Sequence, residues 1–216
     1  MDLSLSHTEG CTSLVGLAER ALQAASVPAD TTLTVLVAGD TATANEPSRL
    51  GIYPIPRTRR AIEGRNANTR RQQELIQDIA TKCKATRRPT ISPIFIGVQQ
   101  AIADLRAQGC TENSNCLLHV GSDMEENIEA SIQRKLNGSN DKAVLPRPVD
   151  NSGLRILVCG LASRAGRIVG SGMETRQATP RPGHHDRVQQ VWLSLFTKPE
   201  LVQFAPYCPV SPSDLR

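Results

Sequence analysis

Three short aliphatic runs, TTLTVLVA at residues 31–38, CLLHVG at 116–121 and LRILVCGL at 154–161, are separated by segments whose apolar residues recur every three or four positions. Runs of β-branched and aliphatic residues bounded by turn signals read as buried strands, and a helical period between them reads as crossover helices. Strands that alternate with helices form a parallel sheet covered on both faces. The spacing therefore predicts an α/β fold: one three-layer domain with a doubly wound, mostly parallel, Rossmann-like sheet.

The helical stripes are specific. Leu14, Leu17, Ala18, Ala21, Leu22 and Ala25 share one face over residues 13–25, and Leu75, Ile76, Ile79, Ala80 and Cys83 share another over 68–84. Ser92 before Pro93 is a helix start, with Phe95, Val98, Ile102 and Leu105 on the face that follows and Gly109 as the stop. Ser122, Asp123 and Glu125 are expected to open a further helix carrying Met124, Ile128, Ile132 and Leu136. A last helix is striped by Val188, Val191, Trp192, Leu195 and Phe196, and a short strand follows at 201–204. Residues 41–60, 140–153 and 164–183 are polar and rich in Gly, Pro, Ser or Arg, and are expected to be loops. Residues 31–216 thus form the α/β domain, and residues 1–30 supply a helix packed on it.

With 216 residues, 39% hydrophobic and 3% aromatic, the core is built from Ala, Val, Ile and Leu, which excludes a protein that stacks bases or sugars on many rings. The net charge of +4 permits acidic partners without requiring them. No basic, apolar leader opens the chain and no apolar run approaches the ~18 residues of a membrane span, so a soluble, cytoplasmic protein is expected. The six cysteines contain no CxxC pair and are expected to be free thiols. Cys110 and Cys116, around a TENSN loop, are a pair that an oxidising setting could join, and Cys11 with Cys208 is the other.

Ligands of open α/β sheets sit beyond the carboxyl ends of the strands. Asp40, Thr41 and Thr43 follow the first strand, Thr90 and Ser92 precede the central helix, and Ser122 and Asp123 follow the second strand. Two carboxylates with several hydroxyls make a hard oxygen set suited to Mg²⁺ or Mn²⁺. At LTVLVAGDTAT, RPTISPIFIGVQQAIADL and LLHVGSDMEEN, the chain resembles the von Willebrand factor A domain over about residues 31–205. In that family a strand-end DxSxS, a later Thr and an Asp after the fourth strand form a metal-ion-dependent adhesion site. The resemblance implies that Asp40 is the first aspartate, Thr90 or Ser92 the threonine-loop ligand and Asp123 the last aspartate. The two serine positions hold Ala42 and Ala44, with Thr41 and Thr43 one residue off, so the site is degenerate.

Each residue also has a structural reading. Ser122 with Glu125 matches a capping box, Ser92 is an N-cap, and Asp123 and Asp40 suit a helix start and a turn. Elsewhere, residues 49–88 hold eleven Lys and Arg, among them Arg57, Arg59, Arg60, Arg70 and Arg71, against Glu63, Glu74 and Asp78. Such a segment suits either a solvated helix face, an acidic protein partner or nucleic-acid phosphates. His184-His185-Asp186 reads as a polar cap to the last helix. His119 and Cys159 could meet as base and thiol if their strands are neighbours. Gly170-Ser171-Gly172 is too short for a dinucleotide fingerprint. The expected function is a non-enzymatic protein-interaction module, with a metal-dependent phosphate-handling hydrolase or a nucleic-acid-binding protein as the alternatives.

Overall fold

Aliphatic strands with helices between them do pair in parallel. In the computed structural model, which describes residues 11, 14–16, 18–19, 32–37, 48–54, 62–85, 93–112, 116–126, 129–138, 144–160 and 183–205, β3 (Cys116–Gly121), β4 (Leu154–Cys159) and β5 (Val202–Ala205) form a parallel sheet in the order β3-β4-β5. The crossovers contain α3 (Ala130–Leu136) and α4 (His184–Leu193). Ahead of them come β1 (Thr32–Val37), β2 (Ser48–Pro54), α1 (Ile62–Ala85) and α2 (Ile94–Ala107). The fold is mixed α/β, and among the described residues no helix is long and apolar enough to cross a membrane.

Two apolar clusters hold these elements. The larger joins Phe95, Val98 and Ile102 of α2, Ile132 and Leu136 of α3, Ile156 and Val158 of β4, and Val188 and Trp192 of α4. In the smaller, Leu14 and Ala18 pack on Val35 of β1 and on Ile79 and Cys83 of α1. Residues 11, 14–16 and 18–19 are helical, as the N-terminal stripe predicts.

The sequence reading needs three corrections. Within the segment expected to be a loop, residues 48–54 form β2, which pairs antiparallel with β1 through a register shift at Val35/Leu36. Its Pro54 sits at the strand end, opposite Thr32, where a missing N–H costs little. The apolar run of β1 therefore faces a hairpin partner and not a parallel neighbour. Secondly, the helix expected from Ser122 begins at Ala130, capped by Glu129, whose carboxylate accepts from Ser131 N–H. Thirdly, the cysteines are not free thiols. Cys11 bonds Cys83, with their Cα atoms 5.8 Å apart, and Cys110 bonds Cys116. Cys159 is disulfide-bonded as well. Cys11 therefore does not pair with Cys208, which lies outside the described residues. The Cys11–Cys83 bond spans 72 positions, and only the packing of an N-terminal helix beside the end of α1 brings its sulfurs together.

The described ends of the connection from α2 to β3 are anchored. Gly109 takes φ +91° after the last turn of α2, the Cys110–Cys116 bridge follows, and Arg106 donates to the carbonyls of Cys110 (3.2 Å) and Ser152 (2.6 Å). Next to it, the Asp150 carboxylate accepts from the Ser152 hydroxyl and N–H and from the Thr197 hydroxyl, which together with the Arg106 charge hold it below the usual carboxylate range. Gly153, at φ +72°, lies so close to Glu112 that a Cβ would stand 2.3 Å from its Cα, whereas a Cβ on Gly109 would meet nothing within 4 Å. Gly109→Ala should therefore cost about 1 kcal/mol for the left-handed backbone alone. Gly153→Ala, which must also displace backbone, should cost about 3 kcal/mol. Urea denaturation of the two variants side by side checks this, and equal losses would refute the close-approach argument.

Candidate functional site

The carboxyl ends of β3 and β4 lie side by side, Gly121 opposite Cys159. One residue on, Ser122 N–H still donates to the Cys159 carbonyl at 2.9 Å. The chain then turns instead of entering a helix. Ser122 Oγ accepts from Met124 N–H (2.9 Å) and Asp123 Oδ1 from Glu125 N–H (3.1 Å). Side-chain oxygens that satisfy the backbone two residues ahead compete with the helix ladder, which is why the capping-box pattern at Ser122 and Glu125 does not start one. Between them Met124, a fully buried non-glycine residue, takes φ 61°, a conformation that costs about 1 kcal/mol or more.

Contacts from four directions hold that turn. Trp192 of α4 donates its indole N–H to the Met124 carbonyl at 2.9 Å. Glu126, buried with 2% exposure, accepts from Phe95 N–H in the first turn of α2 (2.7 Å) and from Glu129 N–H (3.2 Å). Its carboxyl group therefore supplies an acceptor to the first turn of α2, whose leading N–H groups lack partners within the helix. Glu125 pairs with His184 Nε2 at 2.5 Å, joining the turn to the start of α4. Ser122, Asp123 and Glu126 are all buried, so this acidic turn beyond the ends of β3 and β4 is largely desolvated.

Of the expected metal ligands, Asp123 stands in this turn, while Asp40, Thr41, Thr43, Thr90 and Ser92 lie outside the described residues. Thr90 and Ser92 lie just ahead of α2, whose first turn Glu126 holds. Among the described residues no group of three or more His, Cys, Asp or Glu is placed to hold a metal ion. Arg57, Arg59 and Arg60 also lie outside them. Arg70 and Arg71 are exposed on α1, where Arg70 pairs with Glu74 at 3.1 Å and Lys82 with Asp78 at 2.8 Å. These i,i+4 pairs stabilise a solvated helix face by a few tenths of a kcal/mol and offset part of its positive charge.

Two further sequence readings change. The polar cap expected of His184 and His185 is not one: Gly183 is the N-cap of α4, at φ 70° and without a side-chain bond, and His184 reaches across to Glu125. His119 Nε2 does approach Cys159 Sγ, at 3.0 Å, as neighbouring strands allow. Because Cys159 is disulfide-bonded, it offers no thiol for nucleophilic attack in this state. Gly170, Ser171 and Gly172 lie outside the described residues. Sequence reasoning missed the roles of Glu126 and Glu125. A signal for the Trp192 bond existed: a lone Trp inside an aliphatic stripe needs a partner for its N–H. Comparisons with protein-family models, with curated proteins and with solved structures found no match.

Proposed function

We propose that the chain is a non-enzymatic protein-interaction module of the von Willebrand factor A kind, in a three-layer α/β domain, and that it engages its partner at the rim beyond β3 and β4. The observation that carries this reading is the Met124 turn. A buried non-glycine residue at φ 61°, next to a buried aspartate and tied by Trp192 and the Ser122 hydroxyl, is backbone strain held in place, the kind of feature that clusters where ligands bind. The consecutive parallel order β3-β4-β5, with helical crossovers and the acidic turn after the first of these strands, supports the family resemblance.

Asp123, with Asp40, a hydroxyl from Thr41 or Thr43, and Thr90 or Ser92, would supply hard oxygen ligands to Mg²⁺ or Mn²⁺. A carboxylate of the partner protein would complete the shell. The arginines of residues 49–88 would steer acidic partners or nucleic acid toward the domain. The expected cytoplasmic location rests on the lack of a leader-like start and of a membrane-length apolar run, with free thiols expected alongside. With Cys11, Cys83, Cys110, Cys116 and Cys159 all in disulfides, we read the compartment as an oxidising one.

Calorimetry tests the site. Mg²⁺ or Mn²⁺ should give a saturable heat with the full chain, and Asp123→Ala should weaken that binding by more than about tenfold. Equal, near-zero heats in both proteins would remove the metal and leave direct recognition by the rim, which a pull-down with Asp123→Ala as control would then examine.

A further inference from the structure

We propose that the Asn137–Gly138 step at the end of α3 is a site of spontaneous modification, where the chain closes to a cyclic imide and reopens as isoaspartate or aspartate. Of the nine asparagines in the sequence, only Asn137 is followed by glycine, and a following residue without a Cβ leaves its backbone nitrogen open to the asparagine side chain. Asn137 is the C-cap of α3, and both residues are exposed. Among the described residues no hydrogen bond holds the Asn137 side chain. Gly138 stands at φ +76°, and its N–H donates to the Lys135 carbonyl at 3.0 Å. That bond closes only the last turn of a seven-residue helix, and helix ends open at little cost. Asn151, followed by the small Ser152, shows the opposite arrangement. It is fully buried, its side chain makes two 2.9 Å hydrogen bonds with the Lys198 backbone, and Ser152 N–H donates to the Asp150 carboxylate at 3.0 Å.

The chemistry needs only water and base. The Gly138 backbone nitrogen gives its proton to hydroxide and attacks Cγ of Asn137. The new C–N bond closes the imide, the Cγ–Nδ2 bond breaks, and Nδ2 leaves with its electron pair as ammonia after taking a proton from water. One water then adds to either imide carbonyl and opens the ring, giving aspartate or isoaspartate. Nothing is oxidised or reduced: asparagine and water become an acid and ammonia. The surroundings favour the charges involved. Arg134 and Lys135 occupy the last turn of α3, and Arg187 Nη1 of α4 stands 2.8 Å from where a Cβ on Gly138 would lie. Positive charge here stabilises the anionic nitrogen and the oxyanion that precedes loss of ammonia. It also offsets the cost of a new carboxylate at the negative end of a helix. None of this depends on metal or a partner at the rim.

Incubation of the full chain in warm, mildly alkaline buffer, with and without urea, tests the proposal. Peptide mass spectrometry locates the exchange of NH2 for OH, and enzymatic methyl labelling detects isoaspartate. In the folded chain Asn137 should convert at least about tenfold faster than any other asparagine, with isoaspartate among the products, and Asn151 should convert only in urea. Gly138→Ala, compared with the wild type in urea where the fold has no part, should slow conversion at Asn137 by about tenfold or more. If another asparagine converts ahead of Asn137 in the folded chain, the proposal is wrong. An Asn137 that converts in urea and stays intact in the folded chain would also overturn it, because the end of α3 would then be closed. An unchanged rate in the Gly138→Ala chain would remove the role given to the glycine, and the proposal with it.

Discussion

Trp192→Ala should lower the unfolding free energy by about 4 kcal/mol, the largest loss expected from any single side chain in the domain. Trp192 is fully buried in the main cluster, and its ring lies 6.4 Å from that of Phe95 at a tilted angle. Truncation removes the largest volume in an aromatic-poor core and leaves a cavity that the surrounding aliphatic side chains fill only in part. It also strips the Met124 carbonyl of its indole donor, so the strained turn loses one of the contacts that hold it. Trp192→Phe separates the two effects. It keeps most of the ring and loses the hydrogen bond, and should cost about 1–3 kcal/mol. Urea denaturation followed by far-UV circular dichroism gives both values. If the Phe variant matched the Ala variant, packing would be the lesser term and the turn the greater. If Trp192→Ala lost under about 1 kcal/mol, the assignment of Trp192 to the centre of the core would be wrong.

Removing the Cys11–Cys83 bridge should cost nearly as much, by a different route. Closing a loop across 72 positions restricts the unfolded chain by about 4 kcal/mol, whereas the short loop between Cys110 and Cys116 is worth about 2 kcal/mol. The double variant Cys11→Ser/Cys83→Ser should therefore melt well below Cys110→Ser/Cys116→Ser, and differential scanning calorimetry reads the order. The loss should also be local. Leu14 and Ala18 are held on Val35, Ile79 and Cys83 in the smaller cluster, so amide exchange should rise at β1 and in the second half of α1 more than at β4. Equal melting temperatures for the two double variants would mean that the long loop is already restricted in the unfolded chain.

The periodic parts of the chain were legible without coordinates because periodicity is a local property. Phe95, Val98 and Ile102, and Val188 and Trp192, repeat at the helical spacing and are buried on one face each; CLLHVG and LRILVC are strands that pair in parallel. What failed was what depended on competition between local options. Ser122 and Glu125 carry a helix-start pattern, yet the hydroxyl of Ser122 and the carboxylate of Asp123 satisfy the backbone two residues on and Met124 turns left-handed. A capping pattern does not reveal that an indole N–H from residue 192 will hold the alternative in place. β2 was hidden for a similar reason: Pro47 before it, Pro54 at its end and Pro56, Arg57, Arg59 and Arg60 after it read as loop, and only pairing with β1 makes the segment a strand.

Among the candidate site residues, Asp123 was legible from its position after a strand, since a polar residue there falls on the rim of any parallel sheet. Glu126 was not, because its significance is the α2 N–H that it accepts from, 31 positions away in sequence. The His184 pairing with Glu125 is of the same long-range kind.

The sequence by itself determined that this chain would place aliphatic strands between aliphatic-striped helices, because hydrophobic burial acts on each segment through its own period. It also determined the ends of β3 and β4, but not that β1 would leave the parallel sheet for a hairpin with β2. Tertiary structure alone decided which strands share a sheet, which cysteines are joined, and that the acidic stretch after β3 is a strained turn and not a helix. Those outcomes depend on groups dozens of residues apart, whose contacts become favourable only after the elements have docked and the cost of closing the chain between them has been met.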